Sequence, residues 1–444
     1  MRRNLTLTIA LLSLLPTFAM AETFVVMGNG GNADKLAANI QAAGGTIVAD
    51  LQEINVVIVE SDDANFASTA AGYSNVRSVT ADMSLQLIDP MPAATNISLL
   101  ELAANPPTSG EDDFLFDLQW GHDAINTPEA WETGARGAGV RVAVLDSGID
   151  AGHPDIAPNL NLALSTSFVP GEGVDIQPGF YFNHGTHVAG IIGAADNGIG
   201  TIGVAPEVEL VAVKVLSEIT GSGSFAGIIQ GIVYAANIDA DIINMSLGAD
   251  IPHNAPGVAE LFVATGRATT YATQQGTLVI AAAGNDARDL DHDASLKSFP
   301  AELPHVVSVS ATAPVGWALD PGNTNLDNLA SFSNYGQNGI DLAAPGGDFI
   351  LPGNDACTIV VTRPCWVFDL VFSTISEGWG WAAGTSMAAP HAAGVAALII
   401  SKNGGPMSPA HVLRELQQSA DDLGKPGNDD AYGKGRVNAL SAVN

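Results

Sequence analysis

The chain has 444 residues, enough for two or three domains, and its 47% hydrophobic residues and 48 glycines are typical of a tightly packed α/β protein, not of a disordered one. Its 47 acidic and 16 basic residues give a formal net charge of −31, which makes nucleic acid and anionic membrane surfaces poor partners. Solubility explains this charge more simply than a special acidic function does.

The first residues, 1–21, have the features of a secretory signal peptide. Arg2 and Arg3 precede an apolar stretch from Leu5 to Leu15, and small residues follow up to Ala21. A membrane anchor is disfavoured because the apolar stretch is shorter than the about 20 residues that span a bilayer. We therefore expect cleavage after Ala21 and secretion, extracellular or periplasmic, with no membrane attachment afterwards.

Residues 22–88 are predicted to form a small α+β domain of ferredoxin-like β-α-β-β-α-β order. The apolar patterns predict strands at Thr23–Met27, Thr46–Ala49, Val56–Ser61 and Val76–Gln86, and helices at Ala33–Ala43 and Asp63–Tyr73. Residues 89–111 include the stretch Pro90–Gly110, which is rich in Pro, Ala, Asn and Ser. This composition predicts an exposed, cleavable linker.

Residues 112–444 alternate between strand and helix patterns. This alternation predicts an α/β domain of three layers, with a mainly parallel sheet between helices. The expected strands are Val140–Leu145, Leu210–Leu216, Ile242–Leu247, Leu278–Ala283 and Val306–Val309, and the expected helices are Thr186–Ala194, Phe225–Ala236, Val258–Gln275, Ser386–Ser401 and Pro409–Ser419. Because ligands of such sheets bind beyond the carboxyl ends of the strands, Asp146, Ser246–Gly248 and Asn285 are candidates for one shared site.

Ser386 stands out within the stretch Gly384–His391, which reads GTSMAAPH. The long run of small apolar residues behind it predicts a buried helix, with Pro390 in or near the first turn. A serine at a helix N-terminus meets unpaired N–H groups and the positive end of the helix dipole, which suits a nucleophile whose reaction develops negative charge. Taken alone, such a serine is more often a helix cap.

Two other stretches make a catalytic function of Ser386 the better interpretation. They are Val142–Asp150, which reads VAVLDSGID, and His184–Gly190, which reads HGTHVAG. Together with GTSMAAPH they resemble the three motifs of the subtilisin-like serine proteases, in the order Asp, His, Ser of that family. The resemblance covers Asp112 to Asn444. Residues 22–88 are similar, less specifically, to the family's propeptide, an intramolecular inhibitor that also assists folding; a permanent accessory domain is the alternative.

The resemblance implies a serine endopeptidase that acts through an acyl-enzyme intermediate and is made as a self-processed precursor. Ser386 would be the nucleophile, His184 the general base and Asp146 the residue that orients it, while Asn285 would stabilise the oxyanion. His187 would be a packed helix residue, because no glutamate stands between it and His184 to complete a metal-binding motif. No organic cofactor is implied.

Two more stretches, Gly221–Phe225 and Ser246–Ala249, resemble the family segments that hold an extended polypeptide substrate as an added strand. Phe225 would wall an upstream apolar pocket, and Asp286 would lie at the rim of the primary specificity pocket. Since Ala249 replaces a usual glycine and the segment from Pro345 to Ser386 is long, only broad specificity is expected, in a monomer. The implied substrate contacts are Gly221, Ser222, Gly223, Phe225, Ser246, Leu247, Gly248 and Asp286.

The resemblance also implies a structural calcium site, which oxygen ligands from three segments would form. An unrelated surface turn is the alternative. The only two cysteines, Cys357 and Cys365, are expected to form a disulfide in an exported chain; two thiols or a metal pair are the alternatives. The implied calcium ligands are Asp112, with Asp113 nearly as good, Asp155, the carbonyls of Ala195, Ile199 and Thr201, and the side chain of Asn197.

Two other classes of function stay open as alternatives. A serine esterase of the lipase type would need Gly-x-Ser-x-Gly, and Ala388 occupies the last of these positions. A catalytically silent binding protein of the same fold would be expected to lack a catalytic residue, whereas Asp146, His184, Asn285 and Ser386 are all present.

Overall fold

The structure is a computed structural model that describes residues 21–30, 33–87, 97, 113–176 and 183–444. The predicted signal peptide therefore lies outside the described residues except for Ala21. The same holds for Asp112 and for the predicted linker except for Ile97. Among the described residues, no helix is both long and apolar enough to cross a membrane.

A small antiparallel sheet with two helices forms the N-terminal unit. Its strand order is β2-β3-β1-β4, and all neighbouring strands are antiparallel. The β-α-β-β-α-β order predicted from the sequence is observed up to β4. The elements are β1 (Glu22–Gly28), α1 (Ala33–Ala42), β2 (Thr46–Leu51), β3 (Val56–Ser61), α2 (Phe66–Ala71), β4 (Val76–Ala81) and, outside this sheet, β5 (Ser84–Gln86).

The large domain alternates strands and helices, as the sequence predicts. Its elements are α3 (Trp120–Ala124), α4 (Thr127–Glu132), β6 (Arg141–Asp146), β7 (Thr166–Ser167), α5 (His184–Gly193), β8 (Glu209–Lys214), β9 (Ser222–Ser224), α6 (Phe225–Asn237), β10 (Ile242–Met245), β11 (Ala249–Pro252), α7 (Val258–Gln275), β12 (Leu278–Ala282), β13 (Leu296–Phe299), β14 (Val306–Ala313), β15 (Asn328–Leu329), β16 (Leu342–Pro345), β17 (Ala356–Ile359), β18 (Val361–Pro364), β19 (Val371–Ile375), β20 (Gly378–Ala382), α8 (Thr385–Asn403), α9 (Pro409–Ser419) and α10 (Ala439–Val443).

The central sheet has the order β15-β14-β12-β10-β6-β8-β7, and β16 also pairs with β14. All of these pairs are parallel except β14 with β15. Along the chain, β6 is followed by the edge strand β7 and by β8 on one side, and then by β10, β12 and β14 on the other. Asp146, the last residue of β6, therefore lies where the order of the strands reverses, which is where open α/β sheets bind ligands.

Residues of β6 alternate between two hydrophobic cores. Val142 and Val144 pack into the core that includes residues of α5 and α8, whereas Ala143 and Leu145 pack into the core that includes residues of α6 and α7. This alternation follows from the two-residue period of a strand, and both faces are apolar because helices cover both. The predicted three-layer α/β fold is confirmed.

The N-terminal unit packs its sheet against the large domain. Phe24 and Val26 of β1 face the core that the unit forms with its own helices, while Val25 and Met27 join the core of α6 and α7. Arg267 of α7 adds polar contacts, because its guanidinium donates to the carbonyls of Gly28, Ile54 and Asn55 at 3.2 to 3.3 Å. The unit is therefore docked through an apolar face with a polar clamp.

One predicted strand, Val76–Gln86, is wrong as a single element. It ends at Ala81, and Ser84–Gln86 forms β5, which leaves the small sheet and pairs with β9 of the large domain. Asp82 produces the change of direction, because its carboxylate accepts hydrogen bonds from the N–H groups of Met83 at 2.9 Å and Ala226 at 3.0 Å. The apolar pattern continues through this turn, so the pattern does not mark the break.

The segment that precedes β19 carries the predicted disulfide. Cys357 in β17 and Cys365 directly after β18 are bonded with a Cα–Cα distance of 4.8 Å, so the bridge closes the β17–β18 hairpin. This confirms the disulfide expected from the sequence.

Candidate active site

Asp146 and His184 form a buried pair at the carboxyl end of the central sheet. Nδ1 of His184 lies 2.9 Å from each carboxylate oxygen of Asp146, and the two side chains are 5% and 1% exposed. A buried carboxylate needs hydrogen-bond donors, so this contact holds the imidazole proton on Nδ1. Nε2 of His184 is then the proton acceptor of the ring.

Two residues beside His184 hold the first turn of α5 in place. Asn183 caps the helix, since its Oδ1 accepts hydrogen bonds from N of Thr186 at 2.8 Å and from Oγ1 of Thr186 at 2.9 Å. Gly185 lies so close to the end of β6 that an added Cβ would be 2.1 Å from the carbonyl oxygen of Gly148. The Asn-His-Gly-Thr sequence thereby brings His184 against the strand that ends in Asp146.

Ser386 and Asn285 line one cleft of about 240 Å³. Ser386 is partly exposed, whereas Thr385 and Met387 beside it are buried. Thr385 donates to Oδ1 of Asn285 from its N–H at 2.9 Å and from its hydroxyl at 2.8 Å. Because these bonds engage the amide oxygen, Nδ2 is the donor that Asn285 can offer to an oxyanion in the cleft.

The helix that carries Ser386 begins at Thr385, so Pro390 lies in its second turn and not in or near the first, as expected. Pro390 lacks the N–H that would bond to the carbonyl of Ser386, yet the helix continues to Asn403. Close packing supports it, since a Cβ added to Gly394 would lie 2.5 Å from Cβ of Val204. The run of small residues is thus required by the distance between neighbouring elements.

The β19–β20 hairpin connects the helix of His184 to the segment before Ser386. The hydroxyls of Ser373 and Thr374 donate to the carbonyls of His187 at 3.0 Å and of Thr186 at 2.8 Å. Nε2 of His187 lies 3.3 Å from the carbonyl oxygen of Gly380. Burial, together with the charge of His184, lowers the pKa of His187 to about 3, so His187 stays neutral and packs inside the domain.

Lys214 is a buried lysine beside Asp146 and His184 that the sequence motifs did not indicate. Lys214 is fully buried at the end of β8, in register with Asp146. Its ammonium group donates to the carbonyl of Ser147 and lies 3.1 Å from Glu172 and 3.9 Å from Glu218. A lysine that ends the apolar strand ELVAVK is the signal that could have shown it. The ion pairs compensate a charge that burial would otherwise make costly.

The tail of the N-terminal unit occupies the cleft as an added strand. In the antiparallel pair of β5 and β9, Leu85 lies opposite Gly223. Leu87 donates its N–H to the carbonyl of Gly221 at 3.1 Å, and its carbonyl accepts the N–H of Gly248 at 2.9 Å. Leu87 also lines the cleft that contains Ser386. Two segments expected to bind substrate therefore hold an extended piece of this chain.

The remaining expected substrate contacts differ in exposure. Ser246 and Leu247 are fully buried beside the cleft, and Oγ of Ser246 accepts a hydrogen bond from Nδ2 of Asn244 at 2.9 Å. Phe225 is 1% exposed and packs on Phe299, with ring centroids 4.7 Å apart. In this arrangement these three side chains support the walls from behind. Ser222, in β9, lies opposite Gln86 of β5, and the exposed Asp286 lines the cleft itself.

Asp250, which also lines the cleft, was missed because its partner lies far along the chain. Arg288 donates to both carboxylate oxygens of Asp250, from Nε at 2.6 Å and from Nη2 at 2.8 Å. This bidentate ion pair neutralises the negative charge of Asp250. Asp286 is then the acidic group at the rim of the cleft that is not part of this pair.

The loop after α5 brings together the residues expected to bind calcium. Oδ2 of Asp155 accepts hydrogen bonds from N of Thr201 at 2.9 Å and from Nε1 of Trp379 at 2.7 Å. Asn197 is bonded within the loop, with Oδ1 accepting from N of Ile199 at 3.0 Å. Ala195 donates its N–H to the carbonyl of Asp155 at 2.7 Å. The loop is thus closed around Asp155.

Asp113, the second candidate for the N-terminal calcium ligand, contacts this loop, whereas Asp112 lies outside the described residues. Asp113 is fully buried, and its Oδ2 accepts the N–H groups of Asn197 at 3.2 Å and Gly198 at 2.8 Å. Oδ1 of Asp113 and Oδ1 of Asp155 are buried without a hydrogen-bond partner. Two buried carboxylate oxygens without a hydrogen-bond donor fit a hard cation.

The pKa values agree with that chemistry. Burial, together with the charges of Asp196 and Asp155, raises the pKa of Asp113 to about 7, and burial raises the pKa of Asp155 to about 6. A cation between the two carboxylates would reverse both shifts. Among the described residues, no cluster of three or more His, Cys, Asp or Glu side chains that could hold a metal occurs, so such a site would depend on carbonyl and amide oxygens.

Comparisons with known proteins place these features in a family. The model of the subtilase family matches residues 137–435. The M-protease of Shouchella clausii is 36% identical over 371 residues, which cover 84% of this chain and 80% of that protein. Subtilisin Savinase of Lederbergia lenta is 38% identical over 326 residues, which cover 73% of this chain and 98% of that protein.

Solved structures show the same fold. The crystal structure of the epidermin leader peptide processing serine protease of Staphylococcus aureus superposes with a TM-score of 0.75 at 24% identity, over 96% of this chain and 98% of that chain. The family match spans the stretches that contain Asp146, His184 and Ser386. The chain therefore belongs to the subtilase family and is a subtilisin-like serine endopeptidase.

Proposed function

We propose that this chain is a secreted peptidase that cleaves extended polypeptides with Asp146, His184 and Ser386 as its triad. Oγ of Ser386 attacks the scissile carbonyl carbon while its proton passes to Nε2 of His184, and Nδ2 of Asn285 donates to the oxyanion that forms. The C–N bond then breaks as His184 returns the proton to the leaving amine. Water, deprotonated by His184, releases the acyl group and regenerates Ser386.

The position of the β5 tail carries this proposal. Leu87 exchanges main-chain hydrogen bonds with Gly221 and Gly248, and it lines the cleft of Ser386. Main-chain pairing of this kind recognises an extended backbone and imposes little on its side chains. A substrate strand held between the same two segments would present its carbonyl groups to the cleft, which supports broad endopeptidase activity on unfolded polypeptides.

The same tail supports synthesis as a self-inhibited precursor. In this proposal residues 1–21 direct export and residues 22–88 form the inhibitory propeptide. The enzyme cleaves its own chain on the C-terminal side of the docked tail. The unit blocks the cleft for as long as β5 stays paired with β9. Export is supported by the signal-like sequence of residues 1–21 and by a disulfide, which forms in oxidising compartments. The processed enzyme is proposed to act as a monomer.

Calcium is the cation that the proposed function assigns to the loop after α5. Asp113, Asp155, the side chain of Asn197 and the carbonyls of Ala195, Ile199 and Thr201 would hold it. When bound, the ion would supply positive charge between Asp113 and Asp155. It would thereby tie the segment that contains Asp113 to the end of the helix that carries His184.

Casein hydrolysis by the purified protein tests the proposed function. We expect hydrolysis to be lost in Ser386→Ala and kept in the control Ser401→Ala, at the other end of the same helix. A wild-type protein that binds casein without cleaving it would be a silent homologue, and one that cleaves only esters would be an esterase. Intact mass should show removal of the N-terminal unit in the wild type and an uncut chain in Ser386→Ala.

A further inference from the structure

Ile97, which lies inside the segment predicted to be an exposed linker, is instead buried in the large domain. Its N–H donates to the carbonyl of Trp379 at 2.8 Å, and its carbonyl accepts the N–H of Trp379 at 3.1 Å. The two residues form an isolated antiparallel bridge. Both are fully buried and belong to the main hydrophobic core. Ile97 therefore acts as a one-residue strand on β20.

Ile97 pairs with the edge of β20 that does not contact β19. β20 pairs with β19 on one side, and Ile97 satisfies the main-chain groups of Trp379 on the other. If Ile97 left, an N–H and a carbonyl inside an apolar surrounding would lose their partners, and the apolar side chain of Ile97 would enter water. Both changes oppose the loss of Ile97 from the enzyme.

Trp379 also contacts Asp155 and supports the loop after α5 that surrounds Asp155. Its indole donates to Asp155, and its ring packs so closely on Gly200 that a Cβ there would lie 2.3 Å from the ring. His153 lies edge-on against the same ring, with centroids 5.3 Å apart, and Nε2 of His153 is 2.8 Å from the carbonyl oxygen of Gly378. Ile97 thus completes the packing of a tryptophan on which this loop depends.

The order of the contacts along the chain sets Ile97 apart from the inhibitory tail. Leu87 is held in the cleft by Gly221 and Gly248, whereas Ile97 is held by the hairpin that leads to Ser386. A cut behind the docked tail separates Leu87 from Ile97. Leu87 would leave with the N-terminal unit, whereas Ile97 belongs to the core of the peptidase.

We infer that Ile97 stays docked on β20 in the processed enzyme as an N-terminal strap, so that the active chain begins before Ile97 and not near residue 112. This inference rests on the proposed self-processing. It assigns residues that were expected to belong to a discarded linker to the working peptidase, and it makes the strap a partner of the hairpin before Ser386.

N-terminal sequencing and intact mass of the active wild-type enzyme test the inference directly. The expected N-terminus precedes Ile97, and a chain that begins after Ile97 would overturn it. In the processed enzyme, Ile97→Ala should lower the thermal midpoint by a few degrees, whereas the control Ile350→Ala, at an isoleucine that is 49% exposed, should not. Equal midpoints for Ile97→Ala and the wild type would also overturn it.

A second experiment separates failure of the strap from failure of self-processing. The Ser386→Ala precursor, which should not cut itself, is digested briefly with added subtilisin. The mass of the protease-resistant core fragment is then determined. A core fragment that keeps Ile97 supports the docked strap even if the wild type fails to process itself. A core fragment that begins after Ile97 overturns the strap whether or not the wild type is self-processed.

Discussion

Nε1 of Trp379 donates a 2.7 Å hydrogen bond to Oδ2 of Asp155, and this bond joins the hairpin before Ser386 to the carboxylate that the loop after α5 surrounds. The same oxygen accepts the N–H of Thr201, while Oδ1 of Asp155 is buried without a partner. The proposed calcium site and the strand that leads to the proposed nucleophile therefore share one carboxylate. A substitution that disrupts the calcium site should therefore also destabilise the hairpin before Ser386, and the reverse should hold.

Trp379→Phe is expected to lower the free energy of unfolding by about 1–3 kcal/mol, because it removes one donor from a buried carboxylate. Urea unfolding in the Ser386→Ala background measures this without self-digestion. Trp366→Phe is the matched control, since Nε1 of Trp366 bonds to Asn354 at the surface. Equal destabilisation by the two changes would contradict the assigned contact.

Asn285→Ala is expected to lower kcat about 10²–10³-fold with little change in KM, the size of effect found for the oxyanion asparagine of subtilisin. The loss falls on kcat because the oxyanion exists only after attack by Ser386. Steady-state hydrolysis of a peptide substrate measures it. Asn323→Ala, at an exposed asparagine, should leave both constants unchanged. A KM effect alone would show that Asn285 binds the ground state only.

Removal of calcium with a chelator is expected to lower the thermal midpoint of the processed enzyme. Binding at 100 times the Kd stabilises a folded protein by about 2.7 kcal/mol. Asp113→Asn and Asp155→Asn should each weaken the response to calcium, and Asp117→Asn should retain it. A midpoint that chelator leaves unchanged, or a full calcium response in both variants, would remove the ion from the proposal.

Replacement of both Cys357 and Cys365 by serine is expected to destabilise the protein by about 2–3 kcal/mol in the chain-entropy model of a small ring. The effect should be local to the β17–β18 hairpin, which should become more susceptible to added protease. In the wild type, an alkylating reagent should modify no thiol in the denatured, unreduced protein and two after reduction. Labelling before reduction would contradict the bridge.

The docking of the N-terminal unit is expected to weaken as the pH rises. Burial raises the pKa of Asp82, which contacts the N-terminus of α6, above its ordinary value. From about pH 4 upward the unfolded chain loses this proton before the folded chain does, so the precursor loses stability as the pH rises towards the raised pKa.

Unfolding of the Ser386→Ala precursor across this pH range, with and without Asp82→Asn, measures the contribution of Asp82. The variant should become the more stable of the two as the pH rises, because it has no carboxyl to ionise. Asp62→Asn, at an exposed residue of the same unit, should follow the unsubstituted precursor. A stability difference that does not change with pH would contradict the assignment.

Most of the secondary structure was predictable because it depends on local pattern. The helices Val258–Gln275 and Pro409–Ser419 begin and end where the apolar period indicated. The break at Asp82 was not predictable, because the apolar pattern continues from β4 into β5 although the two strands belong to different sheets. A pattern reports which residues become buried, but it does not report the surface that buries them.

The candidate site divides in the same way. Asp146, His184 and Ser386 were identified from their motifs, because each needs particular small neighbours that leave a mark in the sequence, such as Gly185 against the end of β6. Lys214 has only a weak sign, a single charge at the end of an apolar strand, and Arg288 has none. Their partners are distant in the chain, and a single charged residue in an apolar strand or a polar loop does not disclose them.

The sequence by itself determined the fold class, the order of the motifs and the disulfide, since these depend on periodicity, on local backbone geometry and on the presence of two cysteines alone. Only the tertiary structure decided that β5 leaves its sheet for the cleft, that Asp113 contacts the loop after α5, and that Ile97 is buried against Trp379. Each of these contacts satisfies main-chain or carboxylate groups of a remote segment. Such a requirement becomes visible only where the folded chain brings the segments together.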